Sequence, residues 1–165
     1  MIQQIVMIVE RHTMDKPLLP IKPKQDKVYK HSHLTGEIIA CFYKVYNDLG
    51  YGFLEKCYEE AMMIELCAKG LKPEQQKSIN VFYHGQSIGT FSADIVVNGL
   101  VILELKSVKQ LLEVHSTQLV NYLRATDIEI GLLMNFGPHE AKVYRRVFDN
   151  QFKKSIHTQL IADKT

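Results

Sequence analysis

One stretch restricts the fold more than any other: the run SADIVVNGLVILELKS from Ser92 to Ser107. Two apolar segments flank Asn98-Gly99, a dipeptide that favours a tight antiparallel turn, so the run reads as a β-hairpin. A strand turns successive side chains to opposite faces, which puts Glu104 and Lys106 on one side and Leu103 and Leu105 on the other. The strand LVILEL is apolar enough to be buried, and a carboxylate and an ammonium are costly there unless something compensates them. Carboxylates converging in such a setting are the donor set of a hard divalent cation, and Asp94 on the companion strand supplies the second one.

Register decides whether those two acids meet. A strict two-residue loop pairs Val97 with Leu100 and Asp94 with Leu103, sending Asp94 and Glu104 to opposite faces. A one-residue offset brings them together. The expectation is a three-residue loop, Val97-Asn98-Gly99, with Gly99 left-handed and a bulge beside it.

The rest of the chain fits one domain. A length of 165 residues is enough for one sizeable core and too little for two. The formal net charge of +2 favours a polyanionic partner only slightly. The three cysteines, Cys41, Cys57 and Cys67, form no C-x-x-C pair, which argues against zinc, iron–sulfur and disulfide frameworks and for a reducing, cytoplasmic setting. No run reaches membrane-spanning length. Residues 1–30, with Pro17, Pro20 and Pro23 among lysines, read as an extended or poorly ordered N-terminal extension. Residues 31–150 form the domain, and 151–165 a weakly helical tail.

Within the domain, Ile38, Cys41, Phe42, Val45 and Leu49 recur at helical spacing, behind Ser32 or Thr35 as the cap. A second helix is expected over Phe53–Lys69, with Leu54, Cys57, Ala61, Ile64 and Ala68 as its apolar stripe. Strands are expected over Ser78–Tyr83, Ser87–Val97 and Leu100–Lys106, then a helix over Val114–Ala125 and strands over Ile128–Phe136 and Ala141–Val147. This order predicts an α/β or α+β domain around a mixed β-sheet.

Three blocks occur in order: Gly52-Phe53-Leu54-Glu55-Lys56-Cys57-Tyr58, which is a literal G-x-x-E-x-x-Y; ADIVVNGLVILELKSV; and EVHSTQLVNYL. Together they resemble the GxxExxY proteins, a small branch of the PD-(D/E)xK nuclease-like superfamily, over about Leu34 to Val147. The resemblance implies a restriction-endonuclease-like core, a mixed sheet flanked by helices. It also implies Asp94 and Glu104 as metal-binding carboxylates, Lys106 as the superfamily's lysine, and Glu55 as an extra helix-borne acid that joins the metal ligands. Gln118 and Tyr122 match the Q-x-x-x-Y helix of RecB-like members. Ala93 stands where the motif's name has proline, and the cysteines of iron–sulfur-bearing relatives are missing.

The chemistry asks for the same residue types. Phosphodiester hydrolysis needs an activated water and neutralised phosphoryl oxygens, and one or two Mg²⁺ or Mn²⁺ ions supply both. Lys106 would orient the water or stabilise developing charge. His115, Gln118 and Tyr122 share one helix face; Gln118 would hold the water or a phosphate oxygen, and His115, Tyr122 and Lys109 would touch substrate. Lys142, Arg145 and Arg146 on the last strand, with Lys109, would track a phosphate backbone. Taken singly, each residue has an ordinary explanation: a surface ion pair for Glu104 and Lys106, the helix dipole for Glu55, the core for Tyr58. Their coincidence favours a metal-dependent nuclease acting on DNA. The competing readings are a non-cutting nucleic-acid-binding module, an accessory subunit of a larger nucleic-acid-processing complex, and a homodimer in which two sites serve two strands.

Overall fold

The computed structural model describes residues 29–153, and the order of its elements follows from the hydrophobic periodicity. They are α1 (Ser32–Leu49), α2 (Glu55–Ala68), β1 (Pro73–Tyr83), β2 (Gln86–Val97), β3 (Val101–Lys106), α3 (Glu113–Ala125), β4 (Ile130–Phe136) and β5 (Ala141–Val147). The strands form one sheet in the order β1-β2-β3-β4-β5. β3 and β4 are parallel, joined through α3, and every other neighbouring pair is antiparallel. This is the mixed sheet flanked by helices that the sequence predicts, an α+β restriction-endonuclease-like fold.

Alternation along β3 divides its side chains between two cores. Val101, Leu103 and Leu105 join the cluster beneath α1 and α2, whereas Ile102 joins the cluster beneath α3. Residues 101–105 are all buried, and each large apolar side chain among them stabilises the fold by about 1.5–3 kcal/mol. Gly131 on β4 lets α3 approach closely: a Cβ there would lie 2.7 Å from the Leu119 side chain. That approach fixes the height of α3 over the sheet.

The β2–β3 turn has the required offset, with different loop residues. Val97 pairs with Val101, Val96 with Ile102 and Ile95 with Leu103, so the loop is Asn98-Gly99-Leu100 rather than Val97-Asn98-Gly99. Asn98 (φ 54°) and Gly99 (φ 66°) are both left-handed, and Leu100 N–H donates to the Val97 carbonyl at 2.9 Å. Asparagine tolerates that conformation better than most residues, and here Lys72 holds it. Lys72 N–H donates to Asn98 Oδ1 (2.7 Å), and Asn98 N–H donates to the Lys72 carbonyl (2.9 Å).

Three expectations need correction. The α1 cap position is His31, left-handed and without a side-chain cap; Thr35 lies inside the first turn, its hydroxyl turned back on the carbonyls of His31 and Ser32. In α2 the buried residues are Tyr58, Glu59, Met62 and Leu66, while Leu54 and Ile64 are 78% and 68% exposed. The helix is rotated by about one residue from the expected stripe, because Tyr58 stacks on Phe136 at 4.0 Å and sets which side faces the sheet. Arg145 and Arg146 are not on the surface: they are 1% and 4% exposed, on opposite faces of β5. Arg145 Nη1 donates to Thr35 Oγ1 beneath α1, and Arg146 Nε donates to Ser116 Oγ of α3. Neither can track a phosphate backbone.

Tyr29 and Lys30 pack on the domain, Tyr29 beneath the Arg145 guanidinium and Lys30 in an ion pair with Glu129. Helix resumes at Asn150 and runs to Lys153. The rest of the expected N-terminal extension and of the C-terminal tail lies outside the described residues. Among the described residues no helix is long and apolar enough to cross a membrane.

Candidate active site

β2 and β3 part company after Ile95 and Leu103, and the two acids sit where they separate. Continuing the register sets Asp94 across from Glu104, on the face beneath α3. Leu105 N–H donates to Asp94 Oδ2 at 2.7 Å, so a side chain takes a bond that a longer ladder would have given to backbone. Glu104 is 1% exposed; its Oε1 accepts from Lys106 Nζ at 2.5 Å, and its Oε2 is buried without a donor among the described residues.

Electrostatics follow from that burial. Desolvation and the Asp94 charge push the Glu104 carboxyl up to about 7, against the pull of Lys106. Desolvation also raises Asp94, opposed by the Leu105 amide and Lys106. Burial alone would lower Lys106, but its bond to Glu104 and the charges of Glu104, Glu55 and Asp94 outweigh it and hold the ammonium above its ordinary value. A buried Glu104 and a half-buried Asp94 thus share one lysine, an arrangement short of positive charge.

The G-x-x-E-x-x-Y segment positions Glu55. Gly50 (φ 68°) and Gly52 (φ 118°) take backbone conformations that suit glycine. Tyr58, fully buried, donates its hydroxyl to the Gly50 carbonyl (2.7 Å) and accepts Phe53 N–H (3.3 Å), tying down the loop ahead of α2. Ser107, just past β3, donates its hydroxyl to the Phe53 carbonyl and its N–H to Glu55 Oε1, each at 3.1 Å. Glu55 is therefore latched to the end of the strand that carries Glu104 and Lys106, and its charge helps raise all of Asp94, Glu104 and Lys106.

Helix α3 covers the same face. Gln118 Nε2 donates to the Tyr122 hydroxyl at 2.9 Å. Tyr122 is 6% exposed, its ring in the α3 core; burial raises its hydroxyl, with Glu104 and Asp94 adding to the effect. Tyr122 is thus a largely buried residue whose hydroxyl is held by Gln118 and senses the charge of both acids. His115 accepts Leu112 N–H on Nδ1, and desolvation and the Lys106 charge lower its basicity. Lys109 is exposed on the loop between β3 and α3.

Sequence reasoning missed three residues. Ser107 is one. Asn135, buried on β4, accepts Val108 N–H on Oδ1 (3.0 Å) and donates Nδ2 to the Val108 carbonyl (2.9 Å), fixing the loop that carries Lys109. Glu59, one turn after Glu55 and 5% exposed, accepts from Gln76 Nε2 at 2.8 Å, and its charge also raises Asp94. The adjoining Tyr58-Glu59 pair was the available signal, since an acid beside a core tyrosine on α2 lies near the buried face.

Among the described residues, no three His, Cys, Asp or Glu side chains gather closely enough to hold an ion. Glu55 is thus engaged with Ser107 rather than completing a three-acid set. The two strand carboxylates fit a divalent cation nonetheless: Glu104 Oε2 lacks a donor among the described residues, burial drives both acids toward their neutral forms, and nearby acids add to it, Asp94 for Glu104 and Glu59 with Glu55 for Asp94. Mg²⁺ commonly binds through one or two carboxylates and keeps several waters.

No curated protein matches the chain. The solved structure named "Crystal structure of SSO0001" is similar at a TM-score of 0.46 and 17% identity, over 82% of this chain and 69% of that one, too loose a likeness to bear on function. The family model of the PD-(D/E)XK nuclease superfamily matches residues 32–147, from the start of α1 to the end of β5. That span includes Glu55, Asp94, Glu104 and Lys106, on the sheet and helices just described, and the chain belongs to the PD-(D/E)XK nuclease superfamily.

Proposed function

We propose that the protein is a divalent-metal-dependent nuclease that hydrolyses phosphodiester bonds in DNA, using Mg²⁺ or Mn²⁺. The observation that carries this reading is the buried Glu104, facing Asp94 and paired with Lys106, with one carboxylate oxygen lacking a donor among the described residues. Asp94 and Glu104 would hold the ion, and Glu55 would join from the start of α2 by leaving Ser107. A divalent ion, when bound, supplies charge neutralisation at the phosphate and a more acidic water. Lys106 then orients the attacking water or stabilises charge developing on the phosphoryl oxygens. Gln118, already polarised by its bond to Tyr122, offers a polar group to the water or to a phosphate oxygen. His115 stands at the rim, held by the Leu112 amide. The G-x-x-E-x-x-Y segment supports a place in the GxxExxY branch of the superfamily.

The test is cleavage of single- and double-stranded DNA by the purified protein with Mg²⁺, Mn²⁺ or chelator, beside Glu104→Ala and Lys106→Ala. Loss of cleavage in both variants and with chelator is expected. Metal-independent cleavage that survives both substitutions would refute the proposal. One observation favours a non-cutting, nucleic-acid-binding role instead: the Glu55 carboxylate is engaged by Ser107. Salt-sensitive DNA binding without turnover across metals and substrates would establish that alternative.

A further inference from the structure

A concavity opens on the sheet face that carries Glu104. It has a volume of about 260 Å³, and its lining includes Lys109, Asn135, His139, Glu140, Lys142 and Tyr144. Strand register links it to the acids. Lys106 pairs with Asn135, and Asn135 with Lys142, so these three residues form one row across β3, β4 and β5. Residues directly opposite one another share a face, and Glu104, Leu133 and Tyr144 form the parallel row beside it. With strands about 4.8 Å apart, the Lys142 backbone lies roughly 10 Å from that of Lys106.

Three segments bring basic or ring nitrogen groups to this cleft, and two of them are anchored. Lys109 rides on the loop that Asn135 clamps through both hydrogen bonds to Val108. His139 follows Gly137, whose carbonyl accepts the Tyr46 hydroxyl at 2.8 Å. Lys109 has no ion-pair partner among the described residues. Lys142 pairs with Glu140 at 2.6 Å, but the Glu140 side chain is 64% exposed and free to turn to solvent when another anion arrives.

We propose that this cleft is a subsite for a phosphodiester flanking the scissile one. The substrate would then be a polynucleotide strand running along the Lys106–Asn135–Lys142 row, rather than an isolated phosphoester. Lysine ammoniums are mobile point charges that suit non-bridging phosphate oxygens and read no sequence, so the subsite sets position and strand path rather than base preference. The inference rests on the nuclease reading for the scissile position and on the cleft's own geometry for the flanking one.

Two measurements on K109A/K142A test it, Lys109 being exposed and Lys142 half-exposed. The first compares kcat/KM for a labelled single-stranded DNA oligonucleotide with that for bis(p-nitrophenyl) phosphate, which has one phosphodiester and cannot span both positions. The ratio of the two is expected to fall about tenfold or more, since charge-assisted contacts are lost. The second measures oligonucleotide affinity by fluorescence anisotropy across a salt series. Affinity is expected to fall, and the slope of log K against log salt to become shallower by about 0.7 for each lost phosphate contact. An unchanged affinity and slope would overturn the subsite, as would equal losses on both substrates. If the natural protein cuts neither substrate while the variant still loses affinity and slope, the subsite stands and the hydrolase reading falls.

Discussion

Glu104 should make the metal-free protein less stable as pH rises through neutrality. Its carboxyl is lifted from its ordinary 4.5 to about 7 by burial and by Asp94. Between those values the folded protein holds a proton that the unfolded chain has released, so stability is fully present at the acid end and is lost as pH rises. The slope is about 1.4 kcal/mol per pH unit, or roughly 3 kcal/mol over the whole window. Asp94, also raised, chiefly by burial, adds in the same direction. Lys106 titrates far above this window. The perturbation is Glu104→Gln, which keeps shape and removes the titrating group. Urea unfolding in the presence of chelator, at a series of pH values from about 4.5 to 8, reads out the effect for a single cooperative domain. The natural protein should lose roughly 3 kcal/mol more across the series than E104Q, which keeps only the part owed to Asp94. Saturating Mg²⁺ should flatten the natural profile by favouring the ionised acids, with much less effect on the variant. Parallel pH profiles for the two proteins would refute the assignment of Glu104 as a buried acid held near neutrality.

Two further changes probe the scaffold that positions the site. Tyr58→Phe leaves the Gly50 carbonyl and the Phe53 N–H without their shared partner, and should cost about 1–2 kcal/mol in urea unfolding while loosening the Glu55 latch. Unchanged stability would show that water replaces the hydroxyl fully. Gly131→Ala places a Cβ against Leu119 at a distance no packed pair sustains, and should cost about 1–3 kcal/mol and lower Tm as α3 is pushed from the sheet. An unshifted Tm would mean that α3 moves freely.

The legible part of the site was the part written in strand alternation. Glu104 and Lys106 share a face because a strand has period two, and the Asn-Gly turn located the hairpin. The one-residue offset was inferred from what two converging acids require, and the register delivers it. Which residues form the loop was not legible, because tethering of Asn98 to Lys72 depends on where the end of α2 returns to the sheet. The rotation of α2 was missed for a related reason. Its apolar residues lie on several sides, and stacking of Tyr58 on Phe136, far away in the chain, selected the face. Arg145 and Arg146 looked like surface charge because charge in a sequence says nothing about what covers it; α1 covers one and α3 the other.

By itself the sequence determined the alternating strands, the order of helices and strands, and the set of acids and lysine that a phosphodiester-cleaving centre would use. Those properties are local, fixed by side-chain period and turn chemistry within a few residues. The tertiary structure decided how far that set is assembled: Asp94 opposite Glu104, one oxygen of Glu104 without a donor among the described residues, and Glu55 held by Ser107. Such contacts join residues as much as 52 positions apart, and only the packing of helices on the sheet brings them together.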